Sequence, residues 1–255
     1  MRHVFITGST TGLGLAAARA LIDDGHAVVL HARSRERAAA IGELAVRAAG
    51  VVIGDLASAA ETDAVAAQVN RIGRMDAVIH NAGYYAARSR EPAATTYATT
   101  LAVNIFAPYR LTALIERPRR LVYLSSDMHF SGRGPLRATD GGGQHWGRDS
   151  VYSDSKLYVT ALAFAVARRW PEVFSNAVDP GWVPTRMGGP GAPDDLEQGP
   201  ATQVWLAVSD EADARVSGRY WYHRQQQEAA PQARDPRFQD ELLVALARIT
   251  GIALL

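Results

Sequence analysis

Eight residues near the start of the chain, Thr7-Gly8-Ser9-Thr10-Thr11-Gly12-Leu13-Gly14, constrain its fold more than any other stretch. They follow the apolar run Val4-Phe5-Ile6 and precede an alanine-rich segment, Leu15 to Ile22. Strand, glycine turn and helix, in that order, present backbone N–H groups at the positive end of a helix, where a phosphate binds. Glycine lets the turn be tight and lets a ligand approach the backbone without meeting a Cβ. The spacing Gly-x₃-Gly-x-Gly differs from the common dinucleotide fingerprint G-x-G-x-x-G.

Strand-like and helical runs then alternate. Strands are expected at His3–Thr7, Ala27–His31, Val51–Gly54, Asp76–His80, Arg120–Ser125, Val173–Val178 and Arg219–Tyr222. Helices are expected over Leu13–Asp24, Ser34–Ala49 (stopped by Gly50), Ser58–Arg71, Thr95–Glu116 (kinked or divided by Pro108), Val151–Arg169 and Thr202–Ser209. Ser58 and Glu61 have capping-box spacing. This rhythm implies right-handed βαβ units: one α/β domain over 1–255, a doubly wound, mostly parallel seven-stranded sheet in the order 3-2-1-4-5-6-7. Two long connections, about 127–150 and 184–200, are candidate substrate loops. After Tyr222 a polar stretch reads as a surface excursion. Asp235-Pro236 then opens a C-terminal helix to about 249, with Phe238, Leu242, Leu243 and Leu246 on one stripe.

Composition excludes several classes. The chain has 255 residues, no cysteine and a formal net charge of +1, so disulfides, thiolate metal sites and thiol nucleophiles are out, and no metal site is expected. No basic stripe points to nucleic acid. No apolar run is long enough to span a membrane, and Met1-Arg2-His3 leads straight into the first strand without room for a signal peptide. A soluble, cytoplasmic protein is the expectation.

Two positions carry chemistry on their own account. In a dinucleotide-binding fold the residue after the second strand meets the adenosine ribose, and an acidic one there repels a 2′-phosphate. Here that strand leaves as Leu30-His31-Ala32-Arg33-Ser34, with no carboxylate. Arg33 therefore favours NADP(H) over NAD(H), while the rest of the stretch to Arg37 reads as a solvated helix face. Farther on, Tyr152 and Lys156 stand four apart at the start of a helix, hence on one face. An ammonium beside a phenol stabilises phenolate and lowers its pKa.

Further segments join these in order: Asp55-Leu56 after strand three, Asn81-Ala82-Gly83 after strand four, Asn104 within the next helix, Ser125-Ser126 after strand five, and Asp179-Pro180-Gly181-Trp182-Val183 after strand six. Together they resemble the short-chain dehydrogenase/reductase family over almost the whole chain. The long loop before Tyr152 and the Ser-Lys-Leu that follows it look most like the retinol-dehydrogenase and WW-domain-oxidoreductase branch.

The resemblance implies roles. Gly8, Gly12 and Gly14, with Leu13 between them, would cradle a pyrophosphate, and Ser9 and Thr10 would contact adenosine phosphates. Asp55 with Leu56 would hold adenine, and Asn81, Ala82 and Gly83 would wall the adenosine side. Pro180, Gly181, Val183 and Thr185 would border nicotinamide, Thr185 bonding its carboxamide. Ser126, second of its pair and so preferred to Ser125, would bind a substrate carbonyl oxygen. Tyr152 would exchange the proton, Lys156 would hold the ribose and depress the tyrosine pKa, and Asn104 would support a water relay. Tyr84, Tyr85, His129, Phe130, Trp146, Trp182 and Met187 are candidate substrate residues. The implied activity is NADP(H)-dependent interconversion of a carbonyl and an alcohol. A silent NADP(H)-binding regulator, or an epimerase or dehydratase acting on sugar nucleotides, is the alternative. Relatives commonly pair through the helices matching Thr95–Glu116 and Val151–Arg169, which implies a homodimer or homotetramer.

Overall fold

Runs such as Val4-Phe5-Ile6 and Ala27–Leu30 are apolar at every residue because both faces of their sheet are covered. Phe5, Val29, Val78, Tyr123 and Ala177 point into one core. Their neighbours Val4, Ile6, Val28, Leu30, Ile79, Val122 and Val178 point into the other. This alternation around a continuous apolar run is what a parallel sheet between helical layers requires.

A computed structural model describes residues 1–85, 93–136 and 148–254. The strands are β1 (His3–Ile6), β2 (Ala27–Ala32), β3 (Gly50–Ile53), β4 (Ala77–His80), β5 (Arg120–Leu124), β6 (Phe174–Asp179), β7 (Tyr220–Tyr222) and β8 (Gln225–Gln227). They form one sheet in the order β3-β2-β1-β4-β5-β6-β7-β8, parallel throughout except for β7–β8. The order thus matches the expectation through β7 and adds one antiparallel strand. That strand comes from the stretch expected to be a surface excursion. The turn between β7 and β8 puts His223 and Arg224 at φ 46° and 60°, a geometry that Asn-Gly usually supplies in hairpins.

Helices α1 (Gly12–Asp23) and α8 (Ala201–Val208) cover one face of the sheet. The other carries α4 (Ala59–Ile72), α5 (Ala93–Leu101), α6 (Ala107–Leu114), α7 (Arg148–Arg169), a short α9 (Pro231–Arg234) and α10 (Pro236–Thr250). Two details depart from expectation, and a third refines it. The helix expected over 34–49 is two, α2 (Arg35–Ala39) and α3 (Glu43–Arg47), separated by Gly42 at φ 51°, and Gly50 begins β3 instead of stopping a helix. The capping box of α4 is half formed: Ser58 accepts the Glu61 N–H, but the Glu61 carboxylate takes the N–H of Asp55 at 2.8 Å. The Thr95–Glu116 helix is interrupted by a π-turn at Ala102–Phe106, before its proline. Pro108 has no N–H to give the Asn104 carbonyl four residues back, so the chain widens there.

The C-terminal segment closes over the α6–α7 side. Phe238, Leu242, Leu243 and Leu246 are buried as one stripe, with Phe238 stacked on Tyr158 at 6.3 Å. Arg168 of α7 bonds Gln239 and Asp240. The Tyr109 hydroxyl donates to the Ile252 carbonyl at 2.8 Å, and Arg110 to that of Thr250 at 3.0 Å. Every side chain from Val151 to Val166 is buried within the one chain. Of the helices expected to pair subunits, α7 packs against α9 and α10, and α6 reaches the chain's end through Tyr109 and Arg110. No described helix is long and apolar enough to cross a membrane.

Candidate active site

The glycine turn is held from two sides. Gly8 and Gly12 have φ 64° and 56°, where a Cβ is strained. The Asn81 amide donates to the carbonyls of Thr7 and Gly8, and the Thr7 hydroxyl accepts from the Ala82 N–H. A Cβ on Gly14 would lie 2.4 Å from both the Asn81 amide nitrogen and the Gly8 carbonyl. Asn81 thus braces the turn as well as bordering the cleft beside it.

Some N–H groups of the turn are already used. Gly8 N–H donates to Nδ1 of His31 at 2.9 Å, and Ser9 N–H to the His31 carbonyl at 3.2 Å. The Ser9 hydroxyl, buried, accepts the His31 N–H at 2.8 Å. Ser9 is therefore part of the strand–turn joint, which corrects its expected contact with a phosphate. The donors left for an anion are those at the start of α1. Its N-cap, Thr11, makes no side-chain cap bond, so the orphan N–H groups of that first turn fit a pyrophosphate.

A cleft of about 760 Å³ runs from this turn along the C-terminal ends of the strands. At one end stand Arg33, Asp55 and Leu56, and with them Arg37. Arg37 was expected on a solvated face. Ser34 caps α2 by accepting the Arg37 N–H, which sets this second guanidinium one helical turn beyond Arg33. Thr10, Gly12, Leu13, Gly14, Ala82 and Gly83 line the middle.

At the other end are Tyr152, Lys156, Ser125, Pro180 and Thr185. Lys156 is buried, donates to the Leu124 carbonyl at 2.8 Å, and stands 5.3 Å from the Tyr152 ring centre. Burial pushes its pKa down to about 8, against the pull of Asp179. The Tyr152 phenol is pushed up, first by burial and then by Asp179, Tyr85 and Asp127. The direction is opposite to the depression expected from Lys156, whose ammonium is not among the groups that shift the phenol. Tyr152 is accordingly a protonated phenol at neutral pH.

Asn104 spends its amide on Tyr84 and Ser155. It accepts the Tyr84 N–H at 2.7 Å, donates to the Tyr84 carbonyl and donates to Ser155, whose hydroxyl bonds the Tyr152 carbonyl at 2.7 Å. It ties the wall at Tyr84 to the helix of the tyrosine. Of the serines, Ser125 lines the cleft, but its buried hydroxyl is paired with Thr160 at 2.6 Å. Ser126 is half-buried, accepts the Met128 N–H and donates to the exposed Asp127 carboxylate at 3.0 Å.

Gly181 and Val183 lie outside the lining. Gly181, at φ 83°, gives its N–H to Asp179, and Val183 is buried under the loop. Thr185 approaches the turn instead, since a Cβ on Gly12 would sit 3.5 Å from its methyl. Tyr84, Tyr85 and Met187 line the cleft, whereas Phe130 and Trp182 are exposed on the same sheet edge. His129 is buried, donating from Nδ1 to the Ser126 carbonyl and accepting the Ala230 N–H, so it is a brace. Trp146 lies outside the described residues. Arg186 joins the lining without a signal in the motif that precedes it.

Comparison with known proteins agrees with this arrangement. A family model described as short chain dehydrogenase matches residues 2–195. The chain is 40% identical to the short-chain dehydrogenase chyC of Penicillium rubens, over 100% of this chain and 99% of that one. It is 28% identical to human retinol dehydrogenase 13, over 98% and 85% of the two chains, in line with the expected branch. Among solved structures, a blue fluorescent protein from a metagenomic library, in complex with NADPH, superposes with a TM-score of 0.71 at 21% identity, covering 87% of this chain and 95% of the other. The chain belongs to the short-chain dehydrogenase family of oxidoreductases.

Proposed function

We propose that the protein is an NADP(H)-dependent oxidoreductase that interconverts an apolar ketone or aldehyde with its alcohol. The observation that carries this reading is one continuous cleft with two guanidinium groups, Arg33 and Arg37, at one end and the buried Tyr152–Lys156 pair at the other. Two guanidiniums suit a 2′-phosphate, which they bind through charge-assisted bonds. The helix start and glycine turn between them suit the pyrophosphate. The family's cofactor, when bound, supplies a hydride at nicotinamide C4.

The rest is done by this chain. Tyr152, held protonated by burial, gives its proton to the carbonyl oxygen as negative charge develops there. Lys156 lies behind it, its ammonium anchored on Leu124, and would hold a ribose hydroxyl of the bound cofactor. Ser126 is the better oxyanion donor of the pair because its hydroxyl can turn from the exposed Asp127, whereas Ser125 is locked to Thr160. Asn104 acts first as a brace; a relay behind Lys156 would use its main-chain carbonyl, which Pro108 leaves without its usual donor four residues on. Tyr84, Tyr85 and Met187 in the cleft support an apolar substrate.

The working unit we infer is the monomer. The α7 face is covered by α10, and the free edge of β7 is covered by β8.

The test is oxidation of NADPH and NADH against a panel of aldehydes, ketones and quinones, with calorimetry of each cofactor. Turnover with NADPH preferred supports the reading. Binding without turnover across the panel points to a regulator, and preference for NADH overturns the cofactor assignment.

A further inference from the structure

A buried histidine near the end of an apolar strand needs a reason, and His31, only 3% exposed, has one on each ring nitrogen. Nε2 lies 2.9 Å from the Gly54 carbonyl, which only accepts, so Nε2 carries the proton. Nδ1 lies 2.9 Å from the Gly8 N–H, which only donates, so Nδ1 must be bare. Its main chain is bound on both sides to Ser9. One neutral tautomer satisfies every partner, and imidazolium satisfies none of this at Gly8, where two N–H groups would meet head-on.

We propose that His31 is a positioning residue of the cofactor site: its neutral imidazole holds the Gly8–Ser9 peptide in the shape that binds a dinucleotide, and protonation of that imidazole releases the turn and weakens binding. The inference rests on the reading of the cleft as a dinucleotide site. His31 also links two ends of that site, since Gly54 immediately precedes Asp55 on the adenine side. The groups around it are unequal in charge. The β1–α1 turn offers only N–H and hydroxyl groups, and Asn81 beyond it is neutral. Asp55 at the end of β3 favours imidazolium, and Arg33 and Arg37 following β2 line the same cleft as the ring. Burial outweighs the Gly54 bond and Asp55, holding the ring below the usual histidine range.

The sign separates this role from a simpler one. Were His31 a cation for the phosphates, acid would tighten binding. As a neutral brace it makes acid loosen binding, by up to about tenfold per pH unit below the imidazole pKa. Three measurements test it on the intact chain. In the free protein, ¹⁵N NMR reads the His31 tautomer and titration, and hydrogen exchange reads the Gly8 amide. Fluorescence binding of NADH, which lacks the titrating 2′-phosphate, is followed beside NADPH from pH 8 to pH 4.5. His31→Asn keeps an acceptor at the Nδ1 position but does not titrate.

The expected result is an Nε2–H tautomer, a Gly8 amide whose protection is lost as the ring titrates, and NADH binding that weakens over the same pH interval. In His31→Asn that interval should be flat. Flat or tighter binding through the wild-type titration, or an unchanged pH dependence in His31→Asn, overturns the proposal. If neither cofactor binds at any pH while the tautomer and Gly8 protection are as expected, the dinucleotide reading has failed and the brace has not. The wild-type arms decide the matter even if the variant does not fold.

Discussion

The Lys156 ammonium stands 5.3 Å from the ring centre of Tyr152 and bonds the Leu124 carbonyl. Both groups are buried, and burial moves them toward neutrality from opposite sides: the phenol up, the ammonium down to about 8. In the function proposed above, this buried phenol is the proton donor.

Replacing Tyr152 by Phe removes that donor and little else. Positioned acid–base groups contribute about 10²–10⁴-fold, so reductase turnover should fall by that order while NADPH binding by calorimetry stays near wild type. Because the phenol is pushed up, reduction should hold through neutral pH. The reverse reaction, which needs phenolate, should rise with pH into the alkaline range. The kcat/KM profiles in both directions read this.

Arg33→Ala and Arg37→Ala should each weaken NADPH and spare NADH. A hydrogen bond to a charged group contributes about 1.5–3 kcal/mol, or roughly a tenfold or greater rise in the NADPH KM. An equal effect on NADH would show that the guanidiniums do not read the 2′-phosphate.

Gly14→Ala places a methyl 2.4 Å from the Asn81 amide and the Gly8 carbonyl. Backbone is one of the two partners, so relief requires the turn to move. Overpacking of this kind costs about 1–3 kcal/mol, lowering Tm by roughly 2–4 °C per kcal/mol for a chain of this size. Differential scanning fluorimetry checks the stability and calorimetry the accompanying loss of cofactor binding.

Acid should destabilise the fold before carboxylates titrate. His31, His80 and His129 are all held below the free histidine value by burial, His80 down to about 3. Their folded pKa values lie below the unfolded one, so the unfolded state binds more protons as pH falls through 6.5. Stability present above that pH is lost below it, by up to about 1.4 kcal/mol per pH unit for each ring. Asp154 and Asp179, pushed up by burial, work in the opposite direction where they titrate. Urea unfolding at pH 7.5 and 5.5 should show the loss.

Light scattering should give a mass near the 27.5 kDa of one chain. A stable dimer would mean that a surface other than the covered α7 face or β7 edge pairs the subunits.

The sheet order through β7 was legible because each strand is a short apolar run and each crossover a 3.6-period helix. The start of α1, the Asp235-Pro236 cap and the stripe on α10 were equally plain, since caps and stripes are written in neighbouring residues. What covers the stripe was not. Phe238 meets Tyr158 eighty residues away, and no local pattern names a partner at that distance. Arg37 reads from the sequence as part of a solvated face, whereas α2 is short, ends before Gly42 and sets Arg37 in the cleft lining. Ser9 and His129 looked like ligand residues by position, but their bonds run to His31 and Ala230.

The parallel sheet, the glycine turn at the start of α1 and the pairing of Tyr152 with Lys156 on one helical face are written in local spacing, because each follows from the order of residues along single elements. Packing of distant segments sets the direction in which the pKa values of that pair move, the partners of the His31 ring and the cover that α10 gives α7. Burial and long-range hydrogen bonds set those, and neither exists until distant segments have packed.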